Sequence, residues 1–263
     1  GKNLKLALVG PIADAGVQYP GCWAVAARDS YPSLLDEMRR MDGISLKYAK
    51  GCNILEDERL EKIVTPGNAS RWDRRPLDEM ISEAVSAARN SDVVVAAMGE
   101  AANMSGESGS RTDISLPECQ KKLLKALTGT GKPVVLVLFS GRPMTLAWEN
   151  EAMTSILQTW FGGSEAADAI TDVLFGDVNP SGKLTMSFPC SVGQIPVYYN
   201  MKNTGRDAYS KDYRRYASNW IDCPNEPLYP FGYGLSYTTF EYSPVALSDT
   251  VMTVNGAVKA KVT

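Results

Sequence analysis

The chain of 263 residues contains no histidine. That absence removes Ser-His-Asp and Cys-His catalysis and every histidine-ligated metal site. Cysteine is sparse. Cys22, Cys52, Cys119, Cys190 and Cys223 are widely scattered, with no CxxC pair. They read as small hydrophobes rather than as a zinc site or a disulfide framework; a single bridge is compatible with the sequence but not required by it. Basic patches are lacking too. The net charge is -3 and the charged residues are spread along the chain, which makes nucleic acid a poor partner. The longest apolar runs, such as PVVLVLF (133–139), are too short to span a bilayer, so no membrane partner is expected. No signal-peptide pattern opens the sequence, and localisation is not legible from this end.

The length suffices for one large α/β domain or two small ones with a sizeable core. Apolar runs alternate with segments of helical period. Strands are expected at 3–10, 44–50, 91–99, 133–139 and 155–160, and helices at 30–41 (with Pro32 near its first turn), 76–90, 117–128 and 164–175. In the helix over 76–90, apolar residues recur at 77, 80, 81, 84, 85 and 88, the spacing of one face. SDVVVAAMG (91–99) is apolar throughout, as a strand covered on both faces in a parallel sheet would be. Gly129 and Gly176 mark helix stops. This order predicts an open α/β sheet with right-handed crossovers. Beyond about residue 177 the texture changes to Gly, Pro and aromatic residues with little periodicity, and after Phe240 to short alternating strands.

Several motifs fail on inspection. GTGKP (129–133) lacks the spacing and the Ser/Thr of a phosphate loop. GDVNPSGKL (176–184) has one residue too many between its glycines, and GESGS (106–110) is not a nucleophile elbow. The loops that follow the strands carry more. In open α/β sheets ligands bind beyond the carboxyl ends of the strands. There the loop 10–30 places Trp23, the loop 99–116 places Glu100, Glu107, Arg111 and Asp113, and the loop 140–144 places Arg142. A carboxylic acid, an arginine and an aromatic platform together suit a sugar, whose hydroxyls need charged partners and whose ring face stacks on an indole.

The segments ALVGPIAD (7–14), SDVVVAAMGE (91–100), SGESGSRTDISLPECQ (105–120), KPVVLVLFSGRP (132–143), QTWFGGSEAADAITDVLFGDVNPSGKLTMSFPCSVGQIPVYYN (158–200) and LYPFGYGLSYTTF (228–240) resemble the second domain of glycoside hydrolase family 3. The likeness is nearest to bacterial periplasmic β-glucosidases of that family, so a periplasmic or secreted location is implied. It also implies an (α/β)6 sandwich with a mostly parallel sheet over 1–240, a long irregular aromatic and Gly-rich segment, and over 241–263 a linker with the first strands of a truncated fibronectin type III-like domain. An N-terminal (β/α)8-type barrel, bearing the nucleophilic aspartate, would be the intramolecular partner and is absent from this chain.

The resemblance further implies a retaining, exo-acting β-glycosidase acting on a β-linked oligosaccharide or glycoside without cofactor or metal. Glu107 matches the family's acid/base, and Trp23 a tryptophan that stacks on the leaving-group sugar. The isolated chain is then expected not to turn over substrate, half of the catalytic pair lying elsewhere. For the remaining residues the plainer readings prevail. Glu100 is expected to organise its loop, Arg111 and Asp113 to form a local salt bridge that shapes it, with Arg111 kept as a second substrate-binding candidate beside Trp23, and Arg142 to pair a carboxylate beneath the active-site edge. Trp160, Phe161 and the tyrosines at 229, 233 and 237 are expected to pack. The competing reading is a non-catalytic carbohydrate-binding or structural domain.

Overall fold

The computed structural model describes residues 3–24, 31–66, 71–202, 204–206 and 213–263. Five strands form one wholly parallel sheet: β1 (Leu4–Val9), β2 (Ile44–Ala49), β3 (Val93–Gly99), β4 (Val134–Phe139) and β5 (Ser155–Gln158). Their order is β2-β1-β3-β4-β5. An (α/β)6 arrangement implies six strands; among the described residues this sheet has five. The chain runs outward from β1 to β2, then crosses back to the far side of β1 to lay down β3. That reversal puts a topological switch point between β1 and β3, where a crevice opens beyond the carboxyl ends of the strands.

The helices are α1 (Leu34–Arg40), α2 (Glu58–Val64), α3 (Leu77–Arg89), α4 (Glu118–Thr128), α5 (Ala147–Ala152) and α6 (Ala166–Phe175). Because successive strand residues face opposite sides, the sheet feeds two cores. Ala7, Val9, Val94, Ala96 and Leu136 pack with Ala84 and Ala88 of α3 and Leu123 and Leu127 of α4. Leu6, Leu8, Val95, Ala97 and Val137 pack on the other face with Leu34 and Met38 of α1 and Ala167 and Ile170 of α6. Each fully buried Val or Leu contributes about 1.5–3 kcal/mol, and the double coverage is why the central strands β3 and β4 are apolar at every position.

Two boundaries depart from the sequence reading, and two helices are added to it. Helix α1 starts after Pro32, not around it: the Ser33 hydroxyl accepts from the Asp36 N–H at 3.1 Å while the Asp36 carboxylate accepts from the Ser33 N–H at 2.9 Å, a reciprocal cap that fixes the start. Residues 25–30 of the first loop lie outside the described residues. Strand β5 stops at Gln158 because Trp160 adopts a φ of 55°, outside the extended region. Two short helices, α2 and α5, stand where no helix is expected. Helix α2 has Leu60 and Ile63 exposed and so shows no apolar stripe, but the Asp57 carboxylate caps it by accepting from the Leu60 N–H at 2.9 Å. Helix α6 ends at Gly176 in the left-handed conformation, as the sequence predicts.

Past residue 176 the backbone is mostly irregular. It is tied to itself by an antiparallel contact in which Phe188 and Tyr229 exchange N–H···O bonds of 2.8 and 3.3 Å. It is tied to the α/β layer by the Tyr229 hydroxyl, which donates to Asn150 Oδ1 at 2.7 Å, and by Tyr237, whose hydroxyl donates to the Val173 carbonyl at 2.6 Å. Tyr229 and Tyr233 stack with centroids 5.2 Å apart. Near the end, β6 (Ala246–Leu247) and β7 (Ala260–Lys261) pair antiparallel. No helix among the described residues is long and apolar enough to cross a membrane.

Candidate functional site

Strand β3 ends at Gly99, whose φ of 137° suits glycine alone. A β-carbon there would stand 1.8 Å from the Phe139 carbonyl oxygen of β4. The next residue, Glu100, is fully buried at the carboxyl edge of the sheet. A carboxylate without water needs compensating charge, and two arginines converge on it. Arg111 Nη1 lies 2.9 Å and Arg142 Nε 3.0 Å from Glu100 Oε1, and the Gly141 N–H donates to Oε2 at 3.4 Å.

The other nitrogens of these arginines shape the loop. Arg142 Nη2 donates to the carbonyls of Met104 and Gly109 (the latter at 2.7 Å), and Arg111 Nη2 donates to the Ser115 carbonyl at 2.9 Å. The expected Arg111–Asp113 salt bridge does not form. Arg111 is drawn to the buried Glu100, which has no water to fall back on. Asp113 is exposed and accepts instead from the Ser115 N–H at 2.8 Å, a bond that holds its carboxyl below the ordinary aspartate range.

Between the carbonyls clamped by Arg142 the chain makes a tight turn. The Gly109 N–H donates to the Gly106 carbonyl at 3.1 Å, with Glu107 and Ser108 at the turn's centre and Ser108 at a φ of 60°. Glu107 is exposed at the tip. A β-carbon on Gly106 would stand 2.5 Å from Cys22 Sγ and 3.3 Å from Trp23 Nε1, so the turn's backbone rests on the loop that follows β1. Trp23 is 66% exposed there, leaving most of its ring free. The two loops meet across the switch point.

The loop after β1 is anchored by the buried Tyr19, which stacks on Phe139 with centroids 4.9 Å apart and donates its hydroxyl to the Ile12 carbonyl at 3.0 Å. Burial pushes that hydroxyl's pKa well up, so it remains a donor. The Gly163 N–H donates to the Tyr19 carbonyl at 3.1 Å, and the Phe161 ring packs close to Gly21 and Gly141. The three loops expected from sequence at this edge and the segment 161–163 after β5 thus mesh, over their described residues.

Two buried amides that sequence reading missed complete the support. Gln120 Nε2 donates to the carbonyls of Ile54 at 2.8 Å and Gly99 at 2.9 Å, while its Oε1 accepts from the Gly99 N–H at 2.8 Å. Gln18 Oε1 accepts from the Ala102 N–H at 2.7 Å. A glutamine on the buried face of α4 is the one sequence signal available for the first; nothing marks the second. A cleft of about 140 Å³ lined by Asp14, Ser33, Asp36, Tyr48, Lys50 and Arg71 touches neither Trp23 nor Glu107. Among the described residues no group of three or more Cys, Asp or Glu is arranged to hold a metal ion.

What the arrangement offers chemically is one exposed carboxyl group on a braced turn beside an exposed indole. It can give or take a proton; of the other carboxylates in this loop, Glu100 is spent on its arginines and Asp113 on the Ser115 N–H.

A family model described as the glycosyl hydrolase family 3 C-terminal domain matches residues 1–237. The chain is 48% identical to the periplasmic β-glucosidase of Salmonella typhimurium, over 99% of this chain and 35% of that protein. It is 39% identical to a β-xylosidase of Formosa agariphila, over 99% of this chain and 34% of that protein. Among solved structures, a β-glucosidase from Listeria innocua in complex with gluconolactone superposes with a TM-score of 0.79 at 36% identity, covering all of this chain and 33% of that one. The chain therefore spans about a third of the length of the curated relatives it matches. A match over this extent, at these identities and on the same fold, makes the chain a member of glycoside hydrolase family 3, comprising its C-terminal domain.

Proposed function

We propose that this chain is the acid/base-bearing part of a retaining, exo-acting β-glycosidase whose substrate is a terminal β-linked sugar, a β-glucoside in the first instance. The carrying observation is the Gly106–Gly109 turn, which holds Glu107 exposed over the switch point while Arg142 and Glu100 brace it from beneath and Trp23 stands alongside. Glu107 acts first as general acid, giving its proton to the glycosidic oxygen as an aspartate of the N-terminal barrel attacks the anomeric carbon. It then acts as general base, taking a proton from the water that hydrolyses the glycosyl-enzyme. For this the two carboxyl groups stand about 5–5.5 Å apart, so the barrel must close over the turn. Trp23 offers its free face to the leaving-group sugar. Arg111, tied to Glu100 and Ser115, positions the loop rather than touching substrate, and Asp113 shapes the same loop. No cofactor is required.

The domain boundary falls near residue 240, and the antiparallel pair β6–β7 supports reading 241–263 as a linker with the opening strands of a fibronectin type III-like domain. Likeness to a periplasmic relative supports a periplasmic or secreted location.

The test is Glu107→Gln and Glu107→Ala in the full-length enzyme. Loss of most activity on poor leaving groups, smaller loss on activated aryl glycosides, and rescue by azide with formation of a β-glycosyl azide are expected. Equal loss on both substrates without rescue would remove Glu107 from the role.

A further inference from the structure

Four of the five cysteines lie in two facing pairs, and the pairs differ in access. Cys52 and Cys119 neighbour each other deep in the α/β core, at 0% and 3% exposure. The Cys119 thiol also donates to the Asn53 carbonyl at 3.3 Å. Burial pushes the Cys52 thiol far up, and no oxidant reaches it without unfolding. Cys190 and Cys223 also neighbour each other, but both are only half-buried, on the irregular segment.

The meeting of the second pair is built by the backbone around it. Cys190 follows the Phe188–Tyr229 contact by two residues. Its N–H donates to Gln194 Oε1 at 2.6 Å, and the Gln194 amide, buried, reaches across to donate to the carbonyls of Pro224 at 2.7 Å and Glu226 at 3.2 Å. One side chain thus fixes the backbone of Cys190 to the backbone just after Cys223, and the Cys190 thiol points at the Glu226 carbonyl, 3.7 Å away. Between the two cysteines runs the excursion carrying Tyr198, Tyr199, Met201, Tyr216, Trp220 and Ile221, all exposed.

We propose that Cys190 and Cys223 form a disulfide under oxidising conditions, closing this excursion into a covalent loop, while Cys52 and Cys119 stay reduced. The oxidant is a disulfide-bearing species such as oxidised glutathione or a thiol oxidase. The thiolate of one cysteine attacks it, forming a mixed disulfide and releasing one thiol. The thiolate of the second cysteine then displaces the other half, so that one protein S–S bond forms, one oxidant S–S bond is reduced, and the two protein protons end on the two released thiols. The bond lies at the surface of the domain, where exchange with the surrounding redox pool remains open.

The experiment is peptide mapping without reduction, after equilibrating the protein with oxidised glutathione and alkylating under denaturing conditions. The tryptic peptides 184–202 and 216–259 should be recovered linked and lighter by two hydrogens than the reduced pair, while 51–59 and 112–121 should be recovered separate and alkylated. Cys190→Ser and Cys223→Ser, both near-isosteric, should each abolish the linked species and leave the partner cysteine alkylated or bearing glutathione. Recovery of Cys190 and Cys223 both alkylated from oxidised wild-type protein, or a bridge at Cys52–Cys119 in its place, would overturn the proposal.

Discussion

The two halves of the chain bury their apolar residues very differently. Among the described residues, every buried hydrophobic residue apart from Phe188 lies at or before Ile170. Apart from Trp23, Leu60 and Ile63, every exposed large hydrophobic side chain among the described residues lies beyond residue 177. The α/β layer is closed on itself: strands fill both cores and helices cover both faces. The aromatic segment is not. It hydrogen-bonds to itself and to the layer through a few hydroxyls, yet leaves Tyr198, Tyr199, Tyr216, Trp220 and Leu235 in water. So many exposed large apolar side chains on one segment mark an interaction face rather than a finished one. On the function proposed, its complement is the remaining two-thirds of the enzyme.

The sharpest attack on the layer is at its edge. Glu100→Ala would leave Arg111 and Arg142, whose side chains are only 18% and 19% exposed, facing each other without a counter-charge. Breaking one partner of a buried pair costs about 3–5 kcal/mol, and denaturant unfolding should show a loss of that order. The Gly109 amide, whose turn depends on the Arg142 clamp, should exchange its hydrogen faster in the variant. A loss below about 1 kcal/mol would mean that the edge is wetter than its burial implies, since exposed pairs lie in that range.

The comparison itself can be tested by one chemical change made twice. Leu136, fully buried in β4, should lose about 2–5 kcal/mol on truncation to alanine. Leu235, 75% exposed, should lose no more than about 0.5 kcal/mol in this chain. If Leu235→Ala costs several-fold more in the full-length protein than in the chain alone, the aromatic segment has found its cover there; equal small costs in both would leave the segment unpartnered.

The same contrast explains what was legible. The central strands β3 and β4 announce themselves because a doubly covered sheet demands apolar residues at every position, and α3 and α4 because each buries one stripe. Helices α2 and α5 stay hidden, one with its apolar side chains in water and the other a single short turn-and-a-half. Beyond residue 177 there is no period to read because no sheet or helix face is being covered. In the site, spacing places Glu100, Arg111, Asp113 and Arg142 in neighbouring loops, but it cannot say which carboxylate takes which arginine. Burial decides that, and it favours Glu100 over Asp113. The assignment to Glu107 comes through family likeness, since an exposed glutamate in a Gly-Ser loop has no signature of its own.

The smallest effect lies on the layer's outer surface, where charge rather than packing acts. Asp73 accepts from Arg75 Nη2 at 2.7 Å, from Nε at 3.0 and 3.1 Å, and from the Arg75 N–H at 3.0 Å; these bonds lower its carboxyl to about 2. Its own N–H donates to Asn53 Oδ1 at 2.9 Å, joining the approach to α3 to the loop after β2. A carboxyl depressed in the folded state stabilises it above the unfolded value, about 3.9, and that contribution is lost as the pH falls through the folded value. Arg75 is exposed, however, so water and salt screen the pair and the full linkage energy is not realised. Asp73→Asn should therefore destabilise at neutral pH by about 0.2–1 kcal/mol. The difference should shrink as the pH falls from about 4 towards about 2, and shrink again in molar salt, where the screening length is about 3 Å. A difference that persists at the acid end would trace instead to the Asn53 contact, and the junction between β2 and α3 would then be held by hydrogen bonds alone.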